Sequence, residues 1–206
     1  MKRAIKPLIW LVLLAPLPWL VWLGFTGGMG AEPISFMNRY LGDWAIRILI
    51  LAIAVTPVSQ IFRIKSIMRY RRLIGLFCFF YAFLHLTSYV AIDQFFDFAA
   101  IWDDIIKRNY ITVGMVSFVL LTALAVTSPK AMVKKIGGKR WRFLHKAVYI
   151  AAPLVAFHFI MMRKGFQLEP LIYAAIIAIL LGFRLFRFLW TVRKRSKNFS
   201  FASMNL

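Results

Sequence analysis

The chain has 206 residues, 62% of them hydrophobic, with a mean hydropathy of +0.74; soluble domains sit nearer 45 to 50% apolar, so a soluble globular class is excluded. Its 27 Lys and Arg against 7 Asp and Glu give a net charge of +20, a balance that suits phosphate binding. The placement of the charges argues instead for a membrane topology and against nucleic acid.

Apolar runs of about 18 residues or more, enough to cross a hydrocarbon core as a helix, occur at 8–25, 44–62, 73–92, 110–127, 143–162 and 169–190. The expected fold is an all-α membrane protein, a six-transmembrane-helix bundle forming one domain over residues 1–206. The first run follows Lys2, Arg3 and Lys6 and lacks an A-x-A cleavage pattern, so it reads as an uncleaved span, kinked by Pro16 and Pro18. Arg63, Lys65, Arg69, Arg71 and Arg72 precede the third run. Lys130, Lys134, Lys135, Lys139, Arg140 and Arg142 precede the fifth, and Arg193, Lys194, Arg195 and Lys197 follow the sixth. These are alternate sides of one membrane, and the positive-inside rule makes that side the cytoplasm, with both termini there. All seven acidic residues (Glu32, Asp43, Asp93, Asp97, Asp103, Asp104 and Glu169) are expected in or beside the opposite loops. The lone Cys78, inside the third run, reads as a small packing residue.

Three histidines remain. His85 stands thirteen positions past Arg72 and His158 sixteen past Arg142, rises of about 20 and 24 Å along two helices running the same way. They share a depth beyond the midplane, and they can face each other if the third and fifth helices are neighbours. His145 stands near the cytoplasmic edge. Ionisable groups at such depth are costly and point to function. Two neutral imidazoles facing across a bundle can supply both axial ligands of one b-type heme, a six-coordinate arrangement suited to electron transfer. The alternative is an interhelical hydrogen bond for each histidine. No Cys, Asp or Glu lies close enough in sequence to complete a zinc or non-heme iron shell.

The stretches "RYRRLIGLFCFFYAFLHLTSYV" (69–90) and "GGKRWRFLHKAVYIAAPLVAFHF" (137–159) resemble the ferric-reductase-like transmembrane domain. Within it, the chain is most similar to the heme-binding subunit family of the periplasmic methionine sulfoxide reductase system, called MsrQ or YedZ. In the wider superfamily the third and fifth helices each carry two histidines and two stacked hemes relay electrons. Here the fifth helix keeps His145 and His158, whereas the third keeps only His85, with Arg71 and Arg72 near the missing position. The resemblance thus implies His85 and His158 as axial iron ligands of an outer heme b. It leaves His145 at an inner site of uncertain occupant, so one or two hemes remain open. On an ideal helix His145 and His158 point about 140° apart, a phase that Pro153 can alter.

The resemblance also implies FMN. Arg71, Arg72, Lys139, Arg140 and Arg142 could hold a flavin phosphate or heme propionates, or face lipid phosphates as ordinary cytoplasmic-side residues. Gly137 and Gly138 read as a turn, since no P-loop pattern surrounds them. Trp141 and Tyr149 flank His145 as stacking partners or interface anchors, while Tyr81, Thr87, Ser88 and Tyr89 near His85 are packing residues or orient its ring. About sixteen residues follow the sixth run, so no flavin or nicotinamide domain is expected there. The electron donor is expected to be a membrane quinol or a cytoplasmic flavin reductase. The acceptor implied is a periplasmic molybdopterin-containing methionine sulfoxide reductase subunit, in a bacterial inner membrane. Two other classes stay open: a stand-alone ferric or oxygen reductase, and a non-redox transporter with histidine proton relay.

Overall fold

The structure, a computed structural model, describes residues 5–163 and 167–203, with side chains described as far as Lys194. Lys2 and Arg3 lie outside the described residues, as do the side chains of Arg195 and Lys197. Every regular element among the described residues is helical. Six helices among the described residues are long and apolar enough to cross a membrane: Ile5–Phe25, Pro33–Ile61, Lys65–Asp93, Asn109–Val126, Gly138–Met162 and Leu168–Lys194, called here the first to sixth spans.

The first span is interrupted at Ala15, between helical pieces Ile5–Leu14 and Pro16–Phe25. Pro16 and Pro18 cannot donate to the preceding turn, and carbonyls around the break are used from outside. The Tyr81 hydroxyl donates to the Leu13 carbonyl at 2.8 Å and the Tyr40 hydroxyl to the Pro16 carbonyl at 3.0 Å. The kink thereby becomes the joint that fastens the first span to the second and third.

The second span begins at Pro33, well before the expected residue 44, because Pro at the first helical position starts a helix without losing a bond. Arg39 and Asp43 therefore lie, like Arg47, within a spanning helix rather than before it. Asp43 was expected in or beside a loop; it is instead mostly buried, 3.6 Å from Arg163 at the end of the fifth span. Arg163 also approaches Glu169 at 3.7 Å, which reaches Arg47 at 3.4 Å, and the Arg47 Nε–H donates to Tyr173. Charges this deep persist only when paired, and this network ties the second span to the fifth and sixth.

Two further helices lie between spans. Phe98–Lys107 is capped by Asp97, whose side chain accepts from the Ala99 and Ala100 backbone N–H groups, and it is linked to the third span by the Tyr89 hydroxyl donating to Asp104 at 2.8 Å. Lys130–Ile136 ends at Gly137, whose φ of +84° makes the expected turn into the fifth span. The sixth helix continues to Ser203, past the expected residue 190.

The second to sixth spans form a ring in which each packs on the next and the sixth closes onto the second. The second is the most buried of the six, and Ile46, Ile48, Leu49 and Ile53 lie in the core beside Phe77, Cys78 and Tyr81 of the third. Ala151, Ala152 and Ala156 let the fifth span come close to its neighbours. The third and fifth spans, however, are not closely packed on each other; the fourth packs on both. Replacing Tyr81 with Phe leaves the Leu13 carbonyl without this donor, and should lower stability by about 1 kcal/mol, read as an earlier thermal transition in detergent with the helical content unchanged.

Candidate heme site

His85 and His158 project into the space between the third and fifth spans. Their ring centroids are 6.3 Å apart with planes at 68°. Both line one cavity of about 350 Å³, within the usual range of cofactor sites.

Each ring is fixed in the same way. The His85 Nδ1–H donates to the Asn38 carbonyl on the second span at 2.9 Å, and the His158 Nδ1–H donates to the Tyr110 carbonyl on the fourth at 2.7 Å. A carbonyl only accepts, so the proton must sit on Nδ1 and Nε2 is left with its lone pair free. Four residues after each acceptor stands a glycine, Gly42 or Gly114. In an α-helix residue i+4 lies over the carbonyl of residue i, so a side chain there would cover the face the imidazole uses. A Cβ on Gly42 would meet the His85 ring at 3.2 Å, and one on Gly114 would meet the His158 ring at 2.8 Å. Asn38 adds a second contact, donating to the Ser88 hydroxyl at 2.9 Å, while Ser88 donates to the His85 carbonyl at 2.8 Å. Ser88 thus orients through the backbone, and Tyr89 lines the cavity.

Two neutral imidazoles with free Nε2 atoms can ligate one metal. An iron held by imidazole nitrogens at about 2 Å on either side puts the ring centroids at roughly 6 Å, the spacing found here. No cluster of three or more His, Cys, Asp or Glu that could hold a metal occurs among the described residues. The donor set, the glycine-lined cradle and the apolar walls fit an iron porphyrin better than a bare ion.

His145 stands apart. It stacks on Trp141 at 4.0 Å, and the Trp141 Nε1–H donates to the Thr127 carbonyl at 2.9 Å. Thr127 gives its hydroxyl hydrogen to the Ala123 carbonyl at 2.6 Å, so at 3.2 Å it accepts from His145 Nε2–H. Unlike the other two histidines, His145 therefore has Nε2 engaged. The helix departs from α geometry at the turn His145–Ala147, whereas Pro153 lies inside the helix Val148–Met162. Three residues at about 120° in place of about 100° advance the phase by about 60°. That turn, beside His145 itself, changes the relative direction of the two histidines.

None of Arg71, Arg72, Lys139, Arg140 and Arg142 lines the cavity. Arg71 is near Arg184 of the sixth span and Tyr149, at the opposite end of the bundle. Arg184 donates to the Tyr149 hydroxyl at 3.2 Å and to the Ile53 carbonyl, joining three spans there. The sequence reading missed Asn38, Gly42, Tyr110 and Gly114. Their signal was a four-residue spacing that ends in a glycine within an apolar helix, present in two spans.

The ferric reductase like transmembrane component family matches residues 41–156. The protein-methionine-sulfoxide reductase heme-binding subunit MsrQ of Caulobacter vibrioides is 42% identical over 189 residues, covering 92% of this chain and 90% of that protein. The MsrQ of Rhodospirillum rubrum is 50% identical over 169 residues, 81% of each chain. This chain belongs to the MsrQ family. The magnetosome protein MamZ of Paramagnetospirillum magneticum is also similar, 44% identical over 185 residues, but the match spans only 29% of that longer protein. As an MsrQ-family member with six spans, the chain is a multi-pass membrane protein.

The cradle makes a graded prediction. Gly114→Ala forces the His158 ring off its carbonyl and should weaken heme retention about tenfold, the lower end for loss of a ligand's orienting bond. Gly42→Ala, with a few tenths of an ångström to recover, should cost less. Heme-to-protein ratio after detergent washing measures both.

Proposed function

We propose that this chain is the heme b electron-transfer subunit of a methionine sulfoxide reductase system, with His85 and His158 as the axial ligands. The observation that carries the reading is the pair of imidazoles at 6.3 Å, each tied through Nδ1 to a backbone carbonyl. When bound there, heme supplies a one-electron relay with no open coordination position. The protein's part is to hold both rings as neutral Nε2 donors, to keep the site dry with Leu49, Phe118, Leu121 and Phe159, and to limit reorganisation when the charge changes.

The whole chain, 1–206, acts as one transmembrane domain. Both termini are cytoplasmic by the charge of the loops, in the inner membrane of a bacterium. The pair then lies toward the periplasmic side, where a molybdopterin-containing partner reduces methionine sulfoxide. Electrons enter from a quinol or a cytoplasmic flavin reductase. For a second heme the candidate ligand is His145, and for FMN the candidate contacts are Arg71, Arg72, Lys139, Arg140 and Arg142. The names of the MsrQ relatives support heme and the reductase system; the donor and FMN rest on the family resemblance.

A reduced-minus-oxidised spectrum with pyridine hemochrome quantitation tests the reading. The expected result is a sharp low-spin b-type spectrum, lost in His85→Ala and in His158→Ala and retained in His145→Ala. A protein that stays colourless after heme supplementation overturns it. So does loss of all heme in His145→Ala alone.

A further inference from the structure

We propose that Arg39 and Arg108 clamp the two propionate carboxylates of the heme seated between His85 and His158. The inference rests on the heme reading above and goes beyond it, because it sets which end of the cavity the acidic edge of the porphyrin occupies.

A porphyrin in an apolar bundle carries two carboxylates that need charged or polar partners, since an unpaired charge there is costly. The basic belt expected to serve an anion lies at the wrong end, and none of its five residues lines the cavity. Two arginines do line it. Arg39 follows Asn38, the residue whose carbonyl holds His85, and Arg108 precedes by two Tyr110, whose carbonyl holds His158. Arg39 lies in the helical turn that holds His85, and Arg108 is the extended residue just before the helix that holds His158, so the two arginines join the cavity lining from the second-span and fourth-span sides.

Arg39 is exposed at the cavity mouth and makes no ion pair among the described residues. Arg108 spends its Nε on Asp104 at 3.0 Å and its Nη1 on the Tyr110 hydroxyl at 3.4 Å, so Nη2 is uncommitted among the described residues. Two carboxylates also line the cavity. Asp43 has Arg163 beside it, whereas Asp93, at the end of the third span, repels an anion. The acidic edge is thus turned from the third span toward the second and fourth, where the arginines are. Ser35 and Tyr110 line the same stretch and offer hydroxyl groups.

Two consequences separate this role from a structural one. A cation beside each propionate favours the reduced heme, which carries one more negative charge, so removing it lowers the midpoint potential. Charge-assisted hydrogen bonds to the propionates also slow heme loss, by about tenfold or more for each bond of about 1.5 kcal/mol.

The experiment uses the full-length protein in detergent with Arg39→Gln, Arg108→Gln and their lysine counterparts. Lys107→Gln, at the end of the helix Phe98–Lys107 next to Arg108 but outside the cavity lining, is the charge control. Heme transfer to apomyoglobin and the midpoint potential are measured on each. Both glutamine variants should keep a low-spin b-type spectrum, lose heme about tenfold faster and have a lower potential, with the lysine variants partly restored and Lys107→Gln unchanged. Wild-type apoprotein reconstituted with heme dimethyl ester should lose its heme faster than with native heme, and with this ester Arg39→Gln and Arg108→Gln should have no further effect on retention. Glutamine variants that match wild type in both retention and potential overturn the clamp while the heme reading stands. Equal retention of native heme and its dimethyl ester by the wild type overturns it without any variant having to fold. A wild-type protein without a b-type spectrum overturns the reading beneath it.

Discussion

The site depends on two hydrogen bonds, from His85 Nδ1–H to the Asn38 carbonyl and from His158 Nδ1–H to the Tyr110 carbonyl. Each sets the tautomer, the direction of the ring and the availability of Nε2 together. Each also requires a glycine one turn on, because only there can a ring reach a carbonyl already inside a helix. Gly42 and Gly114 repeat that device on opposite sides of the cavity. The histidines come from the third and fifth spans and their acceptors from the second and fourth, so four helices must be in register before either ring is aimed.

That register has its own supports. The second span, the most buried, carries the Asn38 and Gly42 pair and also Asp43 and Arg47, which meet Arg163 at the end of the fifth span and Glu169 of the sixth. The Asp43–Arg163 pair is mostly shielded from water, and breaking such a pair is costly, so it penalises sliding of the second span against the fifth, while the more open contacts of Glu169 add less. At the other end Arg184 links the sixth span to Ile53 and Tyr149. The third and fifth spans are held apart by this frame rather than packed together, and the separation is what leaves a cavity between two imidazoles instead of a contact.

The two ends of the bundle thereby differ in chemistry. Where His85 and His158 meet, the imidazoles have free nitrogens and the walls carry mixed charge. At the basic end His145 is stacked on Trp141 and spends Nε2 on Thr127, and Arg71 lies near Arg184. Arg71 and Arg72 of the third span lie near His145 as well.

Hydropathy alone located all six spans, because in a bilayer apolar length is set by the solvent and needs no tertiary information. The depth match of His85 and His158 was legible for the same reason: helical rise is constant. Their meeting was made conditional on the third and fifth helices being neighbours, whereas the two rings share a cavity with the fourth span packed on both helices, which nothing in a linear sequence says. Helix starts were misplaced where charge was taken to mean loop. Pro33 begins the second span and buries Asp43, and only the approach of Arg163 from the fifth span makes that affordable. The sequence by itself determined the spans, the apolar class and the three candidate imidazoles. Tertiary structure decided which two face one cavity, which nitrogen of each is free, and which arginines share that cavity, because these depend on the rotation and spacing of helices far apart in the chain.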